Sequence, residues 1–139
     1  MRGKHTEING SDAHVKTGSC PDRDEFESKI ATELFKLGFE TEDANWMARY
    51  FYPEPRDGEK SNGWELFSDE WDIRNYHDEV ENTLLAIHRA YPDIRGDVEI
   101  TDEEDDYRII EFRKNGIWVR QGKIVYSKKG RRFEGGWAA

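Results

Sequence analysis

Apolar residues are sparse along this chain, and they fall into two different periods. From Asp22 the repeat is helical: Phe26, Ile30, Leu34 and Leu37 recur at i, i+4, i+8 and i+11 on one stripe. Asp22 or Asp24 can supply the N-cap, and Gly38 stands where a left-handed C-terminal glycine belongs. Thr41 caps a second, short helix holding Trp46, Met47, Tyr50 and Phe51. Tyr52-Pro53-Glu54-Pro55 ends it, because proline disfavours the α conformation at the residue before it. A loop rich in Gly, Asn, Ser and charge spans 56–63, and Trp64-Glu65-Leu66-Phe67 reads as a short strand. The third helix is the clearest element: Tyr76, Val80, Leu84, Ile87 and Tyr91 fall within about 80° of arc. Pro92 stops it.

Beyond Pro92 the period drops to about two, over Val98-Glu99-Ile100, Tyr107 to Phe112, Ile117 to Arg120 and Lys123 to Tyr126. Asn115-Gly116 predicts a type I′ hairpin turn, which needs positive φ at both central positions, and Gln121-Gly122 a second turn. Residues 1–21 are polar and aperiodic, which predicts a flexible arm, and the basic segment 129–139 predicts a loose tail. The expectation is one α+β domain over 22–128, ordered α-α-β-α-β-β-β-β. In it an N-terminal helical pair precedes a long helix packed on an antiparallel meander. No internal repeat is present.

Composition sharpens this picture. The chain has 139 residues, one domain's worth, with 37% charged residues, 13% aromatic residues and a mean hydropathy of −1.00. No apolar run approaches the ~18 residues of a membrane helix. The N-terminus lacks the apolar stretch of a signal peptide. A single cysteine, Cys20, excludes an internal disulfide framework and fits a reducing cytoplasm. The net charge of −9 is divided unevenly: residues 107–139 carry +7 and residues 1–106 carry −16. Such asymmetry marks either an interaction surface or two halves that complement each other.

The candidate chemistry is thin. His77, Glu81 and His88 share a stripe of the third helix, but His88 lies roughly 10 Å along the axis from Glu81, too far for one ion. Asp102 to Asp106 are five consecutive acids without the spacing or the glycine of a calcium loop. They read as a solvated hairpin loop or as an acidic knob facing a partner. No nucleophile has a credible base, and no phosphate-binding glycine loop occurs. The chain reads as a non-enzyme with no cofactor and no metal. The meander alternates Arg and Lys with Tyr107, Phe112, Trp118 and Tyr126, a pattern suited to phosphate contact and base stacking.

Two stretches resemble known families. Residues 30–51, with Leu37-Gly38-Phe39 followed by Ala44, resemble the opening of a ubiquitin-associated domain; Pro53 and Pro55 stand where that module needs its third helix. A helix-turn-helix can be read in the same stretch. Residues 64–126 resemble a β-α-β-meander unit of small accessory proteins of phages and mobile elements. The positions concerned are Tyr76, His77, Asp78, Glu79, Tyr91-Pro92-Asp93, Asp102 to Asp106 and Lys114-Asn115-Gly116. An Ile-Thr pair replaces the glycine-rich stretch expected before the acids. That group has no established chemistry to carry over.

The resemblance and the acidity together imply an inhibitor of a host defence protein that handles nucleic acid, of which an anti-CRISPR protein is one instance. It would act in the host cytoplasm as a DNA mimic on a protein or ribonucleoprotein with a basic groove. The residues expected to meet that partner are Asp69, Glu70, Asp72, Asp78, Glu79, Asp102, Glu103, Glu104, Asp105 and Asp106. The alternative is nucleic-acid binding through the sheet, using Arg108, Arg113, Lys114, Trp118, Arg120, Lys123, Lys128, Lys129, Arg131 and Arg132. A homodimer pairing the acidic half of one copy with the basic half of another is the third expectation.

Overall fold

A computed structural model describes residues 4–56, 62–70, 73–75, 78–102, 107–121 and 131–136. The chain opens on two strands, β1 (Lys4–Ser11) and β2 (His14–Val15), followed by helices α1 (Arg23–Lys36) and α2 (Thr41–Met47). Strands β3 (Tyr52–Pro55), β4 (Trp64–Phe67) and β5 (Ile73–Asn75) lead to α3 (Glu79–Ala90). The end of the chain supplies β6 (Gly96–Asp102), β7 (Tyr107–Arg113), β8 (Gly116–Gln121) and β9 (Arg131–Phe133). The class is α+β and the sheets are antiparallel, as the two periods require.

The order differs from expectation at both ends. Residues 4–11 are not an arm: β1 lies inside the six-stranded sheet β5-β1-β6-β7-β8-β9, paired with β5 on one side and β6 on the other. Its polar sequence hides this, because the inward position Thr6 is satisfied by donating from Oγ1 to Asp102 Oδ1 at 2.7 Å, both residues buried. The tail is also anchored, since β9 pairs with β8 and buries Phe133. The expected strand at Lys123 to Tyr126 lies outside the described residues. Tyr52 to Pro55 does end the helical region, and it also forms the edge strand of a second sheet, β2-β4-β3. At an edge the missing proline N–H groups cost no ladder bonds.

Helix α1 forms where its stripe predicts, burying Phe26, Ile30 and Leu34. It closes with Gly38 at φ 102°, Gly38 N–H donating to the Phe35 carbonyl and Phe39 N–H to that of Leu34. That is a Schellman arrangement, with buried Phe39 and Leu34 as its apolar contact. The α2 N-cap is Glu40, not Thr41. The β7–β8 turn is centred on Lys114 and Asn115, one residue earlier than expected. Register pairs Arg113 with Gly116, and Gly116 alone there carries a positive φ, of 144°.

At 12 residues α3 is shorter than α1, at 14. Every residue from Val80 to His88 is buried, because α3 lies between the large sheet and α1. A stacked and edge-on cluster of Phe26, Trp64 and Tyr91 joins α1, β4 and the end of α3.

Candidate functional site

The polar groups that α3 buries are satisfied by specific partners. Asn82 donates to the Asp78 carbonyl and accepts from Gly136 N–H, and Thr83 donates to the Glu79 carbonyl. Arg108 on β7 donates to Glu81 and reaches both oxygens of Asp102 at 3.0 Å. This removes two expected surface residues. Asp102 and Arg108 are 5% and 8% exposed, and the one guanidinium pairs with the carboxylates of both Asp102 and Glu81 inside the protein. Alternation in β6 and β7 places both inward, and a buried charge persists only when paired. Neither Glu81 nor His88 is placed for a shared ion: Glu81 holds Arg108, and His88 Nε2 donates to the Arg113 carbonyl at 2.6 Å.

The other expected acids are scattered. Asp69 and Glu70 are exposed after β4, where Asp69 accepts from Tyr52 at 3.0 Å with Arg23 4.0 Å away. Asp78 is the half-buried N-cap of α3, held at φ 54°, and Glu79 accepts from Tyr50 at 3.4 Å. Asp72 and Glu103 to Asp106 lie outside the described residues.

The cations share their sheet face with acids. Register sets Asp97, Glu111, Trp118 and Arg132 in one cross-strand row, and Glu99, Ile109 and Arg120 in the next. Arg113 bonds Glu111 at 2.8 Å and lies over the Trp118 ring at 4.7 Å. Lys114 and Arg132 are exposed, and Arg131 is placed in β9. Lys123, Lys128 and Lys129 lie outside the described residues. The face is divided by charge: acids on β6 and β7, cations toward β8 and β9.

The feature that sequence reasoning missed lies on the helices. Phe35 and Trp46 are 62% and 64% exposed, large apolar side chains left in water by a chain that has few to spare. Phe35 follows Leu34 and so falls about 100° off the buried stripe. In α2 the inward positions are Ala44 and Met47, which turns Trp46 outward. Between the helices small residues (Ser28, Ala31, Thr32, Thr41, Ala44, Asn45) leave a groove of about 360 Å³ walled by Phe35. A second hollow of about 260 Å³ shares Asn45 and runs along Trp46 to Glu42, Asp43 and Arg49.

Charge around the groove is one-sided. Arg49 is paired with Glu27 at 3.9 Å and Lys36 with Glu33 at 3.1 Å. Glu40, Glu42 and Asp43 are exposed and make no ion pair with a described residue. The result is two adjoining hollows, one walled by Phe35 among small polar and apolar side chains, the other by Trp46 with Glu42 and Asp43.

Comparison with protein-family models, characterised proteins and solved structures gives no match. Among the described residues no helix is long and apolar enough to cross a membrane.

Proposed function

We propose that this chain is a non-enzymatic binding protein whose partner presents a basic, amphipathic segment to the α1–α2 groove. The observation that carries the reading is the exposed pair Phe35 and Trp46, the first walling the α1–α2 groove and the second the adjoining hollow, where Glu42 and Asp43 stand. Aromatic anchors beside a cleft supply most of the binding energy in interfaces of this kind. Exposed carboxylates add steering toward a cationic partner. Each aromatic gains roughly 2 kcal/mol when covered.

This keeps the expected partner class and moves the contact. A host protein that handles nucleic acid offers basic surface, and blocking it is the inhibitory role we assign to a phage or mobile-element product in the host cytoplasm. The carboxylates around Phe35 and Trp46 carry that role, in place of Asp102.

A photo-crosslinker at Asn45, used in host cells, tests the reading. Phe35→Ser combined with Trp46→Ser should cut capture of the partner by about tenfold or more, leaving the melting temperature within a few degrees of wild type. Glu42→Lys with Asp43→Lys should weaken capture most at low salt. Capture undiminished in the double aromatic variant rejects the groove. Capture of a second copy of this chain would replace the host partner with self-association.

A further inference from the structure

A third hollow, of about 340 Å³, is built from other elements, at the C-terminal end of α3. Leu85, His88 and Arg89 of α3 line it together with Asn115 of the β7–β8 turn and Arg132 and Phe133 of β9. Leu85 and Phe133 are 5% and 6% exposed and make an apolar floor. The walls carry guanidinium, imidazole and amide groups.

Neither the Arg89 nor the Arg132 side chain makes an ion pair or hydrogen bond with a described residue, and both residues are exposed. Arg132 is positioned all the same. Its Nε lies 3.2 Å from where a Cβ at Gly116 would stand, so the absence of a side chain there lets the guanidinium lie over the turn. His88 is held by two contacts, its Nε2–H on the Arg113 carbonyl and its ring stacked on Phe112 at 6.3 Å. Nδ1 is then the ring nitrogen without a hydrogen bond to a described residue. Burial and the nearby cations Arg95, Arg132 and Arg89 hold the His88 pKa below its ordinary value, against the pull of the Arg113 carbonyl. Arg95 is itself spent on the carbonyls of Pro92 and Ile94. One carboxylate, Glu134, reaches the lining.

We propose that this pocket binds a small phosphomonoester, its dianionic head between Arg89 and Arg132 and its organic part on Leu85 and Phe133. Guanidinium groups match phosphate oxygens in pairs, and Asn115 and His88 add to the polar lining. The volume falls in the range of small-molecule sites, about 300–1,000 Å³. The site is separate from the α1–α2 groove and stands whether or not that groove binds a protein.

Phenyl phosphate, inorganic phosphate and phenol can be titrated into the full chain by NMR. Phenyl phosphate should bind saturably below about 10 mM and about tenfold more tightly than inorganic phosphate, with phenol weakest. Arg89→Gln with Arg132→Gln should weaken it by about tenfold or more at an unchanged melting temperature. Bound phosphate should also raise the titration midpoint of His88, since an anion favours the imidazolium. No saturable shift, or equal affinity in the double variant, overturns the proposal. So does a single-stranded oligonucleotide without terminal phosphate that binds as tightly as phenyl phosphate, which would mark a nucleic-acid surface.

Discussion

At the residue scale the most consequential group is Arg108. It stands between Glu81 on α3 and Asp102 on β6, with Thr6 of β1 completing the cluster. Helix α3 and strand β6 meet on its guanidinium, and β1 joins them through Asp102. Removing it leaves two buried carboxylates to face each other, and breaking a buried pair in this way costs about 3–5 kcal/mol. Arg108→Ala should therefore lower stability by that amount in chemical denaturation. Lys114→Ala, at an exposed turn, should stay within about 0.5 kcal/mol. A loss below about 1 kcal/mol for Arg108→Ala would mean that water reaches the cluster.

At the scale of elements the pairing of β6 with β7 carries an avoidable cost. Asp97 stands directly opposite Glu111. Its pKa is pushed above the ordinary value by burial and by the carboxylates of Asp12, Glu99 and Glu111, with Arg120 opposing. A carboxyl group whose folded pKa is raised adds stability that is fully present below the unfolded value, 3.8, and is lost as pH rises through the folded value. At neutral pH the charged form is thus a liability. Asp97→Asn should stabilise the protein there by roughly 0.2–1 kcal/mol, the scale of a like-charge cross-strand pair. Thermal melts down a pH series check this: the gap between variant and wild type should close toward acid. A gap independent of pH would trace the gain to something other than charge.

At the scale of the whole molecule, β1 decides whether the large sheet has six strands or four. It is the strand that joins β5 to β6, so its loss frees β5 and turns β6 into an edge. Deleting residues 1–11 should abolish the cooperative thermal transition seen by circular dichroism. A true arm could be removed without effect, and an unchanged melt would restore that reading. The two candidate surfaces sit on different elements of this scaffold, the groove on α1 and α2 and the pocket at the end of α3.

What rests on local repetition was legible along the chain. The stripe of α1, the glycine at its end, the period-two strands β6 to β8 and their tight turn follow from spacing and backbone preference among near neighbours. Even there the turn moved by one residue, because pairing of Arg113 with Gly116 needs only one positive φ. The rest depends on contacts between segments far apart in the chain. Strand β1 has almost no apolar signal, since its inward Thr6 is paid for by a partner 96 residues away. Asp102 and Arg108 look like surface charges one at a time and become core residues together, because burial of either depends on the other. Phe35 and Trp46 look like core residues and are left outside, since helices packed through Leu34 and Met47 have no room for their neighbours. Whether a charged or an aromatic residue faces water is a property of the contact, and contacts between distant segments are what a linear pattern does not hold.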